Sequence, residues 1–251
     1  MDHFWLTDEQ FAKISSHLPT DTRGRERVDD RRVISGIVHE LKSGGRWPDA
    51  PREIYGPKKT LYNRFVRWAE KGVWVELFET LAHAGGPPAQ VLIDSSAVKA
   101  HRCAAGGKGG KQTQAIGRSR GGRTTKIHAL IDRLGRPLAF LLTGGQMADC
   151  TAGALLLERL PACSILLADK GYDSDAIRRQ IEAAGTAPNI PPKANRRWKP
   201  CFSPVLYRGR NAIERMFGRL KDFRRIATRY DRLASNYLAA ICIAAIVSYW
   251  L

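Results

Sequence analysis

The chain has 251 residues, room for one medium domain and a small one, and 41 Lys and Arg against 24 Asp and Glu give it a formal net charge of +17. An excess of that size points to a polyanionic partner. Five cysteines without C-x2-C spacing, no basic and apolar leader after Met1, and a terminal apolar stretch (Tyr237 to Leu251) shorter than the ~20 residues of a bilayer span argue against structural zinc, secretion and membrane anchoring. The expectation is a reduced, cytoplasmic protein with a polyanionic partner and no membrane involved.

In chain order, Thr7 with Gln10 forms a capping-box pattern that starts a helix to about Leu18. A second helix is predicted from Asp30 to Ser43, with Val33, Ile34, Ile37, Val38 and Leu41 at helical spacing and Gly44-Gly45 as its stop. After Trp47-Pro48 come a short helix around Pro51 to Tyr55, a Gly56-Pro57 turn and a longer helix from Lys58 to Lys71, the order of a helix-turn-helix. Its polar positions carry Lys58, Lys59, Asn63, Arg64 and Arg67, while Leu61, Phe65 and Trp68 look inward. Asn and Arg are the side chains that read adenine and guanine edges in the major groove, so Asn63 and Arg64 are the candidate base readers. A plain helical bundle is the competing reading of the same residues.

Gly85-Gly86-Pro87-Pro88 is the predicted boundary, dividing the chain into a small all-α unit (1–88) and a larger α/β unit (89–251). Strands follow at about 90–98, 125–132 and 137–142, then a helix at 151–160, a strand at 164–169, a helix at 175–184, a short strand near 187–191 and the helix of Glu214, and Tyr237 to Leu251 reads as a buried terminal helix. Three strands in hairpin order followed by alternating helix and strand is an RNase H-like layout, a mixed sheet with flanking helices. The segment 102–123 is too rich in Gly, Lys and Arg to hold a core and is expected to stay mobile until it meets phosphate. Charge is clustered: residues 1–88 carry 14 basic and 13 acidic side chains, residues 99–128 carry 8 and none, and residues 193–232 carry 13 and 3. Arg120, Arg123 and Lys126 in the first basic stretch are candidate phosphate contacts.

Two aspartates end apolar runs. Asp94 follows Val91-Leu92-Ile93, and Asp169 follows Ile165-Leu166-Leu167-Ala168. A carboxylate at the end of a buried strand is costly unless it is paired or binds metal, although capping the next turn is the common alternative. Near the C-terminus Tyr207, Arg210, Glu214 and Lys221 are spaced Y-x2-R-x3-E-x6-K, which on one helix at about 100° per residue gathers them within an arc of roughly 60°. One carboxylate then stands among phosphate-binding groups. Asp149, Asp173 and Asp175 read as turn or helix-start residues instead.

Taken together, Leu92-Ile93-Asp94-Ser95-Ser96, Asp169-Lys170-Gly171-Tyr172 and the Tyr207/Arg210/Glu214/Lys221 pattern resemble the three acidic motifs of DDE transposases of bacterial insertion sequences. The D-x-G-Y and Y-R-E-K elements are those of the four/five superfamily, closest to its family five. Arg118 to His128 is similar to that family's second-strand region, and Leu6 to Gln10 and Tyr55 to Phe65 to its leading DNA-binding region. The resemblance implies an RNase H-like catalytic domain in which Asp94, Asp169 and Glu214 hold two Mg2+ ions, with Mn2+ able to substitute. Asp94 would bridge both ions, Arg210 and Lys221 would contact phosphates and Tyr207 would stack a displaced base. It further implies binding to the element's terminal inverted repeats and to target double-stranded DNA, DNA cleavage and strand transfer, action as a homodimer or higher oligomer, and a bacterial, nucleoid-associated setting. An RNase H-like nuclease without strand transfer and a DNA-binding regulator without catalysis are the rival readings.

Overall fold

In the computed structural model, which describes residues 3–20, 27–106, 110 and 114–251, helices occupy the first third of the chain. Thr7 and Gln10 exchange backbone-to-side-chain hydrogen bonds of 3.0 and 3.1 Å and start α1 (Asp8–Ser15). Asp29 caps α2 (Asp30–Ser43), which Gly44 ends at φ +76°, a left-handed conformation that favours glycine. The one-turn α3 (Arg52–Tyr55) leads through Gly56 and Pro57 into α4 (Lys58–Glu70), whose Leu61, Phe65 and Trp68 are buried as their spacing predicts.

α5 (Val73–His83) was not among the elements expected from the sequence. Val73, Trp74, Leu77, Phe78 and Ala82 are buried, and Val75 and Leu81 are half-buried. The buried residues recur at i, i+1, i+4, i+5 and i+9 and share one side of the helix, with Glu76, Glu79, Thr80 and His83 on the other, so the stripe was legible in the sequence. It joins two parts of the molecule: the Trp74 indole N–H donates to the Phe65 carbonyl at 3.1 Å, and the Phe78 ring lies 5.2 Å from that of Phe140.

The rest is built on one mixed sheet. Its strands are β1 (Gln90–Ala100), β2 (Gly117–Ser119), β3 (Gly122–Asp132), β4 (Pro137–Gly144), β5 (Ile165–Leu167), β6 (Ala187–Asn189) and β7 (Thr228–Arg229). β1 is the hub, antiparallel to β3 on one side and parallel to β5 and β7 on the other. β4 and β2 both pair antiparallel with β3, and β6 extends the sheet parallel to β5. Three antiparallel strands followed by parallel additions through helical crossovers make the RNase H-like layout.

Helices cover both faces: α6 (Asp149–Leu157) and α7 (Asp175–Ala183) on one, α9 (Asn211–Lys221) and α11 (Ala234–Ala245) on the other. Between them in the chain lie α8 (Pro204–Tyr207) and α10 (Arg224–Ala227). Strand alternation sorts the side chains: Val91 and Ile93 of β1 join Leu156, Leu157, Ile177 and Ile181, whereas Leu92 and Val98 join Ile213, Met216 and Leu220. The second cluster continues into Leu6, Leu61 and Phe65, so one apolar core runs across the Gly85–Pro88 segment. α11 sits at its centre with Ala239, Ala240, Ala244 and Ala245 fully covered, which accounts for the apolar C-terminal stretch. Among the described residues, no helix is long and apolar enough to cross a membrane.

The basic stretch 102–123 carries more order than its composition suggests. A single turn at Arg102–Ala104 precedes β2, which pairs with the start of β3. Lys108 and Lys111 lie outside the described residues.

Candidate active site

The parallel pairing of β1 with β5 sets Leu92 opposite Leu167. Two residues further along each strand direction come Asp94 and Asp169, and the period of two keeps both on the face of those leucines. Asp94 does not end its strand as its apolar run suggested, because β1 continues to Ala100 through its pairing with β3. It stands midway along β1, with Asp169 just past the end of neighbouring β5, so the two carboxylates lie near each other. Asp94 Oδ1 accepts the Ser95 N–H at 2.8 Å, and Asp169 Oδ1 accepts the Gly171 N–H at 2.7 Å while capping the turn Lys170–Tyr172. Burial raises the Asp94 carboxyl above its usual range and the nearby Asp169 raises it further, against the opposing pull of the Ser95 N–H and Arg210.

The Tyr207 to Lys221 pattern is not one continuous helix. α8 ends at Tyr207, a tighter turn spans Arg208–Arg210, and α9 begins at Asn211. Three residues per turn eclipses positions i and i+3, and the Arg210 guanidinium lies 5.8 Å from the centre of the Tyr207 ring. From there Arg210 donates to Asp94 Oδ2 and, at 2.9 Å, to Glu214 Oε1. Glu214 is exposed and is linked to Asp94 through this guanidinium. Among the described residues, no three His, Cys, Asp or Glu side chains stand close enough to share an ion. Lys221 donates to Ser96 Oγ at 2.7 Å, and burial lowers its ammonium below the usual lysine range. Burial raises the Tyr207 phenol.

The opposite face of the same strand holds a group that sequence reasoning missed. Ser95 Oγ donates to Asp149 Oδ1 at 2.7 Å, and Lys126 Nζ donates to the same oxygen at 3.0 Å and to the Met147 carbonyl at 2.8 Å. Lys126, expected on phosphate, is thus paired internally, and Asp149, expected to start a helix and no more, does that and also reaches β1. Beside them His128 donates or accepts at 2.8 Å with Thr143 Oγ1, its buried ring pushed down to about 4. The Tyr172 hydroxyl is buried there without a geometric hydrogen bond. Only the pairing of β1 with β3, Ser95 opposite His128, brings these groups together, and no local pattern announces it.

Asp173 also exceeds its expected role as a turn residue. Its fully buried carboxylate accepts from Arg178, Arg196 and the Lys193 N–H, and Arg196 also pairs with Asp175 at 2.6 Å. On α4, Lys58, Lys59, Asn63 and Arg67 are exposed. Arg64 is not: it pairs with Asp30 and lies 4.7 Å over the Trp68 ring, so its guanidinium is engaged inside the helical unit. Arg120 and Arg123 are exposed around the β2–β3 turn.

A family model described as Transposase DDE domain matches residues 85–250, and a second, for transposases of the IS4/5 family, matches residues 6–78. A Brucella ovis protein named as a transposase for insertion sequence element IS6501 is 34% identical over 127 residues, 48% of this chain and 94% of its own length. A Burkholderia cepacia protein named as a transposase for insertion sequence element IS402 is 31% identical over 137 residues, covering 50% of this chain and 63% of its own. Among solved structures, a piggyBac transposase synaptic complex with hairpin DNA shares the fold, with a TM-score of 0.53 and 11% identity over 95% of this chain and 69% of that one.

Proposed function

The chain belongs to the DDE transposases of bacterial insertion sequences, enzymes of DNA transposition, and on that premise we propose that Asp94, Asp169 and Glu214 are the acids of its polynucleotidyl transfer. The observation that carries the reading is Asp94 on β1 near Asp169, which follows the adjacent parallel β5, with Arg210 joining Asp94 to Glu214. Such a cluster of negative charge, partly withdrawn from water, calls for cations.

The donors are all carboxylate oxygens, which suits Mg2+, with Mn2+ as substitute. When bound, two such ions neutralise the attacked phosphate and lower the barrier to attack by water or a 3′-hydroxyl. Ser95 and Gly171 N–H groups orient the aspartates through one oxygen each, and the second oxygen of Asp94 is the one that Arg210 holds. Arg210 spans Asp94 and Glu214, and we assign it a phosphate of the DNA backbone once the acids are otherwise neutralised. Lys221, held by Ser96, supplies positive charge on the same face, and Tyr207 lies beside Arg210 where it can stack an unpaired base. Lys58, Lys59, Asn63 and Arg67 form the outer face of α4, and with them residues 1–88 are assigned to the terminal inverted repeats. Arg120 and Arg123 are assigned to phosphates. Pairing two element ends calls for a homodimer or larger assembly on DNA.

The test is a strand-transfer reaction with a duplex carrying the element's end and a target duplex. Asp94→Asn, Asp169→Asn and Glu214→Gln should each abolish Mg2+-dependent cleavage and joining while leaving end binding nearly intact. Cleavage without any joined product in the wild type would favour a nuclease instead.

A further inference from the structure

The first turn of α6 touches the mounts of both aspartates. Asp149 accepts the Ser95 hydroxyl, and the Ser95 N–H in turn holds Asp94. One residue on, Cys150 Sγ donates at 2.7 Å to the carbonyl of Gly171, whose N–H holds Asp169. One turn further, a Cβ added to Gly153 would lie 2.7 Å from the Tyr172 ring, so glycine lets the helix seat directly on the D-x-G-Y turn. Lys126 offsets the Asp149 charge and ties it to β3 and to the Met147 carbonyl just before the helix. Strand alternation puts Ser95 and Lys126 on the face of the sheet opposite Asp94.

We infer that the first turn of α6 is a clamp that sets the separation of Asp94 and Asp169, with Asp149 and Cys150 as positioning residues. Asp149 is not a fourth ligand: its oxygen serves Ser95 and Lys126 on the opposite face of β1. Its effect on the reaction passes through Ser95. Outer-shell partners of this kind change metal affinity or activity by roughly 10- to 100-fold when removed.

The inference rests on the reading of Asp94 and Asp169 as ion-binding acids, and the test separates the two. Mn2+ binding to the full chain is measured by calorimetry, alongside half-saturating Mn2+ for cleavage, melting temperature and affinity for an end duplex in Ca2+. Asp149→Ala, Ser95→Ala and Cys150→Ala should each weaken Mn2+ binding, roughly 10-fold for Asp149→Ala, with DNA affinity unchanged. Ser95→Ala is the mild variant, since it leaves the Asp149–Lys126 pair in place. The Ser95→Ala/Asp149→Ala double variant should be no worse than Asp149→Ala alone, because both break one link. Asp149→Asn still offers Ser95 an acceptor and should stay within about twofold of wild type, whereas a true ligand would not tolerate it. Mn2+ binding lost in Asp94→Asn but untouched in Asp149→Ala and Ser95→Ala would overturn the clamp alone. Binding that survives Asp94→Asn would overturn the ion site and the clamp with it.

Discussion

Asp173→Asn isolates one buried charge network. The wild-type carboxylate accepts from Arg178 Nε at 2.8 Å, Arg196 Nε at 2.6 Å and the Lys193 N–H at 2.7 Å, with its side chain fully buried. Burial alone would raise the carboxyl, but these donors, Arg196 foremost, override it and hold the group down at about 2 against an ordinary 3.8. A shift of that size stabilises the folded state by about 2 kcal/mol at neutral pH. Because the folded-state value lies below the unfolded one, this stability is fully present above pH 3.8 and is lost as the pH falls toward 2. Asn keeps the shape and drops the charge. In urea denaturation the variant should be about 2 kcal/mol less stable at neutral pH, with the gap narrowing below pH 3.8 as the wild-type group protonates. A gap that stays constant through the acid range would refute the ionic origin of the effect. The same network pins the segment between β6 and α8 through Lys193 and Arg196, so limited proteolysis there should quicken in the variant.

Arg64→Ala should lower stability by about 1 to 2 kcal/mol, since Asp30 keeps Arg27 as a partner, and should leave the sequence preference for element ends unchanged; Asn63→Ala should relax one base position at a cost of about 1 to 3 kcal/mol, both read from melts and binding to mutated duplexes. Arg120→Ala and Arg123→Ala should each reduce the slope of log affinity against log salt by about 0.9, whereas Lys126→Met, its ammonium already paired with Asp149, should leave the slope alone. Arg210→Gln should raise the affinity of the DNA-free chain for Mn2+, because the guanidinium no longer competes for Asp94 and Glu214, and calorimetry showing no change would exclude that competition.

Much of this protein follows from local pattern. The apolar spacing of α2 and α4, the capping box at Thr7, and the short continuous apolar runs before Asp94 and Asp169 each encode their element through signals that act over a few residues and read directly from a string. The RNase H-like order of strands and helices follows from the same signals, and so does the family, since its three acidic motifs are short. The structure alone decided which side chains meet. Arg64 faces Asp30 and not solvent, Lys126 and Ser95 converge on Asp149, Arg196 closes on Asp173, and Arg210 bridges Asp94 to Glu214 from a tightened turn that helical spacing smooths over. An Arg or Lys spaced as if to meet phosphate looks the same in sequence whether it waits for DNA or already holds a carboxylate. Its partner is chosen by strand register and by the face each strand turns to its neighbours, and those are set by burial of the whole apolar core.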